Sequence, residues 1–113
     1  MQEQIEILNE LSRQLNFVSG KVYDEAYLEY KFNRQENWYS FSAWYEQDGR
    51  KEIPENFDSF SDDSQKICEI LHEVMHKHSG GDWRKFILTI DRNREVKTQF
   101  IYDIQSCMGE FKD

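Results

Sequence analysis

The spacing of the apolar residues changes from a helical period to a strand period twice along the 113 residues. In about residues 2–14 apolar side chains recur at steps of three and four, which predicts an amphipathic helix that ends near Ser19 and Gly20. Two alternating stretches follow, 22–32 and 38–47, and each predicts a strand. A short polar turn separates them, so we expect a hairpin.

The second half begins with another helical pattern. An apolar stripe predicts a helix over about residues 62–78, with Ser61 as its N-cap. Gly80 and Gly81 are typical of the end of a helix. The stripe is formed by aliphatic and thioether side chains: Ile67, Ile70, Leu71, Val74 and Met75.

A second predicted hairpin completes the chain. Residues 84–90 and 96–102 alternate, and the turn 91–94 joins them, with Asn93 expected at positive φ. The order α-β-β-α-β-β predicts an α+β fold in which two α-β-β units form a four-stranded antiparallel sheet with both helices mainly on one face. We expect a single domain over residues 1–113, with 105–113 as a frayed tail.

The charge is uneven. Acidic residues outnumber basic ones by 22 to 14, which gives a net charge of −8 and argues against direct binding to nucleic acid or to anionic membranes. Residues 47–63 carry six acids and two bases, half of the net charge, on a stretch that we interpret as a surface loop because it holds the only proline and has no period. A basic protein partner fits this charge; the alternative is a solvated connection.

Location and redox state follow from what the sequence lacks. No window approaches the ~18 apolar residues of a membrane span, and the first ten residues are acidic where a signal peptide is basic. Cys68 and Cys107 are far apart and in no metal-binding spacing. We therefore expect a cytoplasmic protein without a disulfide framework and without a cofactor.

A short motif suggests a different function. The segment His72-Glu73-Val74-Met75-His76 has the H-E-x-x-H spacing of zinc peptidases, in which two histidines bind the metal and the glutamate is the general base. Both histidines fall opposite the apolar stripe, and no distant third histidine is present. We therefore interpret His72 and His76 as solvated positions, and keep a zinc-dependent hydrolase as an alternative.

Aromatic residues also favour a protein-binding surface near the acidic stretch. The side chains of Trp38, Trp44, Tyr23 and Tyr27 fall on the strand faces opposite the aliphatic sides, so we expect exposed rings if both helices cover one face. The alternative is that the rings pack on each other, on the tail or under a helix. The predicted partner-binding residues are four acids and two tryptophans: Asp48, Glu52, Glu55, Asp58, Trp38 and Trp44.

The second hairpin also carries a family resemblance. Its residues read W-x2-F-x-L-x-I-D from Trp83 to Asp91 and F-x-Y-D from Phe100 to Asp103, and they resemble the closing hairpin of the YezG-like immunity (antitoxin) family. The aromatic strand 38–45, Ile53-Pro54 and the acidic helix start resemble the same family. One departure is Arg94, where the family often has a glycine in the turn after Asp91.

The resemblance implies a small bacterial cytoplasmic protein that neutralises the toxic C-terminal domain of a polymorphic toxin, often a nuclease, in competition between cells or contact-dependent inhibition. A basic nuclease would be electrostatically complementary to this acidic chain. Occlusion of the toxin's active site and binding at a distance from it both remain open, as does a homodimer through the open sheet face. An acidic adaptor or chaperone for a secreted protein is a further alternative.

Overall fold

The structure is a computed structural model, and it describes residues 2–20 and 22–105. The fold is α+β, as predicted, with two helices and an antiparallel sheet in the strand order β3-β2-β1-β4-β5. The sheet has five strands, so the predicted four-stranded sheet of two α-β-β units is wrong in this detail. The elements are α1 (Gln2–Val18), β1 (Glu25–Asn33), β2 (Trp38–Gln47), β3 (Arg50–Glu52), α2 (Phe57–Ser79), β4 (Lys85–Ile90) and β5 (Val96–Ile101).

Strand β3 lies inside the stretch predicted as a loop. Asp48 and Gly49 both have positive φ, 53° and 77°, and they form a two-residue connection between β2 and β3. An Asp-Gly pair is the usual sequence of such a turn, because its twist matches that of the paired strands. Pro54 follows the strand by two residues, and proline has no N–H to donate to a ladder. The strand is therefore only three residues long.

Both helices pack on one face of the sheet. Alternate residues of β1 point toward them and are buried, and in the neighbouring strands Ala43 and Leu88 lie opposite Leu28 on the same face. Leu11 and Leu15 of α1 complete this core together with Leu71 of α2. Neither described helix is both long and apolar enough to cross a membrane.

Both helices extend beyond their predicted bounds. The first continues to Val18, and the second begins at Phe57 rather than at Asp62. Asn56 takes a left-handed conformation before it, and the ring of Phe57 lies 6.2 Å from that of Phe41 on β2. Ser61 is therefore inside the helix and is not its N-cap. The other end agrees with the prediction, because Gly80 has φ 75° and its N–H donates to the His76 carbonyl.

The turn between β4 and β5 differs from its prediction. Arg94 takes the positive φ, 66°, and Asn93 does not. The Asp91 carboxylate accepts hydrogen bonds from the N–H groups of Asn93 and Glu95, which fixes the turn around Asn93. The Arg94 guanidinium lies 4.0 Å from the centre of the Tyr23 ring, a cation–π contact that joins the turn to the core.

The predicted frayed tail falls mostly on residues 106–113, outside the described residues. Its first residue, Gln105, is described, and its carbonyl accepts a hydrogen bond of 2.8 Å from the Asn33 side chain at the end of β1. This bond brings the chain after β5 back to the end of the central strand.

Candidate protein-binding surface

The negative charge is concentrated at one edge of the sheet. Residues 52–63, which we call the acidic segment, contain five acids and neither lysine nor arginine. The segment runs from the end of β3 through the first two turns of α2. Its side chains are exposed at Glu55 and Asp58 and half-buried at Glu52. Three of the four predicted acids therefore lie together on this segment, with Asp62 and Asp63 beside them.

The fourth predicted acid, Asp48, lies apart from the acidic segment at the tip of the β2–β3 turn. Its backbone N–H donates to the Asp24 carboxylate at 3.2 Å, and Arg92 reaches the other oxygen of Asp24 at 3.4 Å. The negative charge at this tip is thus partly balanced. We expect it to contribute less to attraction of a cationic partner than the acidic segment does.

Trp44 lies on the sheet face that carries no described helix, as predicted. Its ring stacks on Tyr27 with centroids 4.8 Å apart, and Lys51 Nζ lies 4.6 Å from the Trp44 ring centre. The Tyr27 hydroxyl donates to Glu29, and burial together with this carboxylate raises the pKa of Tyr27 to about 12. Trp44 and Tyr27 are therefore half-buried and pack on each other, which was the alternative to fully exposed rings.

The other predicted aromatic residues do not join Trp44 in one patch. Trp38 begins β2, six residues from Trp44, and a rise of about 3.3 Å per residue places the two about 20 Å apart. Its indole N–H donates to Glu36 at 2.7 Å. Tyr23 was predicted on the open face, but it precedes β1 and is buried, with its hydroxyl bonded to Asn16. It belongs to the core.

The open sheet face is mixed in charge. Its side chains come from alternate positions of the strands, and Lys85 pairs with Glu29 at 3.3 Å across the centre. The charged residues at these positions are Glu25, Glu29, Lys31, Glu46, Lys51, Lys85 and Lys97. Because both signs of charge are present there, the open face does not share the strong negative charge of the acidic segment.

A cavity of about 630 Å³ lies where the outer edge of β2 meets the start of the acidic segment. Phe41 and Trp44 line it from β2, and Ile53 and Phe57 line it from the segment. Ile53 is exposed. The hollow is mainly apolar, with Glu29 and Lys51 as its charged lining residues, and it connects the predicted Trp44 with the start of the acidic segment.

A second groove, of about 700 Å³, lies between α1 and the beginning of α2. Phe17 in this groove is 77% exposed, and Glu55 and Asp63 line the opposite wall. Arg13 also lines it, but its guanidinium is bonded to Glu10, and those bonds lower the pKa of the Glu10 carboxyl. Sequence reasoning missed Phe17 because it ended the first helix at residue 14.

The HEVMH segment is not arranged as predicted. His72 is only 3% exposed, with Phe32 and Trp83 edge-on to its ring at 5.0 Å each, so the prediction that it faces water is wrong. His76 is exposed, as predicted, and stacks on His72 at 5.9 Å. The buried side of α2 includes Ser64 and Cys68, whereas Ile70 is 49% exposed. A prediction based only on the apolar residues therefore placed the buried side of the helix incorrectly.

Both ring nitrogens of His72 already have neighbours. Nε2 lies 2.9 Å from an Asp82 oxygen, and Nδ1 lies 3.4 Å from Arg34 Nη2. Burial lowers the pKa of His72 and favours its neutral form, in which one nitrogen donates to Asp82 and the other accepts from Arg34. Among the described residues no group of three His, Cys, Asp or Glu side chains could hold a metal ion. The geometry gives His72 a structural position between α2 and the sheet.

Comparisons with known proteins add no family to this description. No protein-family model matches the sequence, and no curated protein matches it. The resemblance to the YezG-like immunity family therefore stays a prediction.

Proposed function

We propose that this protein is an immunity protein that binds the toxic C-terminal domain of a cognate bacterial toxin and neutralises it in the cytoplasm. The observation that carries the proposal is the acidic segment, which holds five acids and no lysine or arginine on an ordered edge of the fold. The family resemblance supplies the kind of partner. The apolar hollow beside Trp44 and the exposed Phe17 supply contact area next to the charge.

The physical mechanism is electrostatic and steric. A nuclease domain binds phosphates through lysine and arginine, so carboxylates at fixed positions can stand in for those phosphates. The order of the segment matters, because side chains on a strand and a helix lose less conformational freedom on binding than those of a mobile loop. Long-range attraction would also speed association, and this effect weakens with salt.

The test compares three forms of the protein as immobilised bait in extracts of the native host, at low and high salt. The first is the wild type, and the second carries Glu52→Gln, Glu55→Gln, Asp58→Asn and Asp62→Asn, all within the acidic segment. The matched control neutralises four exposed acids outside the segment: Glu3, Glu6, Glu95 and Asp103. Each variant raises the net charge by four, from −8 to −4, so overall charge is held equal.

We expect the wild type and the control to retain a basic toxin-like domain that elutes with salt, and the segment variant to lose it. The captured domain is then expressed alone and with each form, and growth of the cells is measured. Rescue of growth by the wild type supports neutralisation. Equal capture by all three forms would remove the acidic segment as the binding surface, and a captured partner that stays active when bound would favour an adaptor or chaperone.

A further inference from the structure

None of the described strands pairs with the outer edge of β2 over most of its length. On its inner side the strand pairs with the whole of β1, but on its outer side only Tyr45–Gln47 face β3. Among the described residues no backbone hydrogen bond of a turn or loop reaches positions 38–44. Within residues 2–20 and 22–105, seven residues of this ten-residue strand therefore have no strand beside them on this side.

The direction of the free backbone groups follows from the pairing. The Glu46 carbonyl accepts from the Asp24 N–H at 2.8 Å, on the β1 side of the strand. Backbone groups alternate between the two sides of an antiparallel strand, so even-numbered residues bond toward β1. The N–H and C=O groups of Tyr39, Phe41 and Ala43 consequently point to the outer edge, where a further strand could pair with them.

This edge lacks the usual protection against pairing. Natural edge strands carry charged residues, proline or bulges that keep other chains away. The opposite edge strand, β5, carries Lys97, and β3 carries Arg50 and Lys51. Positions 38–44 have no charged residue, no proline and no glycine, and four of the seven are aromatic. An unprotected edge of high β propensity in an otherwise highly charged chain indicates a pairing site.

We propose that the outer edge of β2, over residues 38–44, pairs with an extended basic segment of the partner protein, which adds a strand to the sheet. This inference rests on the proposed function and specifies how the partner is held. Main-chain hydrogen bonds would give affinity, and the hollow lined by Phe41, Trp44 and Ile53 would take alternate side chains of the added strand.

Charge selects this occupant over a second copy of the chain. The acidic segment begins at the end of β3 and contributes Ile53 and Phe57 to the same hollow, which Glu29 and Lys51 also line. Glu52 and Asp58 are next to Ile53 and Phe57 in the sequence, so lysine or arginine side chains at this end of the incoming strand come close to the acidic segment. Two copies pairing edge to edge would instead bring two acidic segments, and two net charges of −8, into proximity. Like charges oppose that association.

The test uses a defined probe, a seven-residue peptide of alternating lysine and valine with an acetylated N-terminus and an amidated C-terminus. It is added at millimolar concentration to the full-length, isotope-labelled protein. We expect slower amide hydrogen exchange at Tyr39, Phe41 and Ala43. Two further peptides carry N-methyl groups on the lysine amides or on the valine amides. Only one of these sets faces β2, so we expect one methylated peptide to lose binding and the other to keep it.

A pair of variants tests the same point on the protein. Tyr39 is 54% exposed, and Tyr39→Ala removes its ring while keeping the outward N–H. Tyr39→Pro removes both the ring and that N–H, and it breaks no bond to β1 because proline is tolerated where the N–H faces solvent. We expect Tyr39→Pro to bind the peptide about tenfold more weakly than Tyr39→Ala, as loss of one hydrogen bond implies.

The outcomes separate this inference from the proposed function. Peptide binding that is lost in the acidic-segment variant but unaffected by N-methylation and by Tyr39→Pro would overturn edge pairing and leave the acidic segment as the binding surface. Absence of any protection at Tyr39, Phe41 and Ala43 would also overturn it, while the capture experiment still judges the immunity function. A dimer in sedimentation that protects these amides without peptide would assign the edge to a second copy instead.

Discussion

His72 Nε2 lies 2.9 Å from Asp82 Oδ1, and this contact joins the middle of α2 to the segment before β4. The second oxygen of Asp82 accepts from Arg84 at 3.1 Å. Slight burial acts to raise the pKa of Asp82, but the bonds from His72 and Arg84 outweigh it and hold that pKa below its usual value. The HEVMH segment thus contributes a buried, hydrogen-bonded ring to the core beside Trp83.

The first prediction concerns acid stability. Because burial lowers the pKa of His72, the unfolded chain binds more protons than the fold does once the pH drops below about 6.5. The stability contributed by the neutral ring is therefore complete above that pH and is lost as the pH falls further. We expect the free energy of unfolding, measured by urea denaturation, to decrease between pH 7 and pH 5 and to do so less in His72→Gln.

Two further measurements complete this test. His72→Gln should lower the free energy of unfolding at pH 7 by about 1–3 kcal/mol, since Asp82 and Arg34 lose a buried partner. The control is Lys77→Gln, an exposed change on the same helix that should keep the wild-type pH dependence. If His72→Gln shows the same dependence of the unfolding free energy on pH as the wild type, the fold does not hold this ring neutral.

The second prediction tests where α2 begins. Asp58 lies in the first turn of the helix, close to its partial positive charge, whereas Asp62 lies beyond that turn. Asp58→Asn should lower the free energy of unfolding by about 0.3–1 kcal/mol at low salt, and Asp62→Asn should change it little. Asparagine keeps the size of the side chain, so the comparison isolates charge. A larger loss at Asp62 would support the start predicted from the sequence.

Periodicity predicted six of the seven elements, mostly because one side of each is buried; β5 was predicted from its alternation although four of its six residues are exposed. The bounds of β2 agree with the predicted 38–47, where aromatic and small residues alternate without interruption. The start of α2 was missed because its first turns pack through Phe57 and Phe60, ten and seven residues before the aliphatic stripe begins at Ile67. The acids and the proline around these two phenylalanines led us to interpret the stretch as a loop.

The candidate site was less predictable than the fold. The charge of residues 52–63 is visible in the sequence, and so is the separation of Trp38 from Trp44, because the predicted strand 38–47 agrees with β2. The burial of His72 could not be predicted from apolar residues, because Ser64 and Cys68 occupy the same buried side of α2. The Asp-Gly pair at 48–49 was the sequence signal for a hairpin turn into β3. Had it been used, the sequence would also have predicted that β3 pairs with only the end of β2.

The third prediction concerns the turn that sets the register of β3. Gly49 has φ 77°, and a Cβ there would meet nothing within 4 Å, so the cost of Gly49→Ala is conformational. We expect a loss of about 1 kcal/mol in the free energy of unfolding. Asp48→Asn should be nearly neutral, because asparagine also tolerates a left-handed backbone. If Gly49→Ala is equally neutral in thermal and urea unfolding, the two-residue turn is contradicted.

The last prediction concerns Cys68, which has no exposed surface. Burial raises the pKa of its thiol, with a further contribution from the nearby Glu69 carboxylate, so the reactive thiolate is scarce in the fold. In a Cys107→Ser background we expect N-ethylmaleimide to label Cys68 only as fast as the protein opens, and therefore much faster in urea. Labelling is followed by mass spectrometry, with Ser59→Cys on the exposed start of α2 as a fast-reacting control. Equal rates for the two thiols under native conditions would contradict the burial of Cys68 against the sheet.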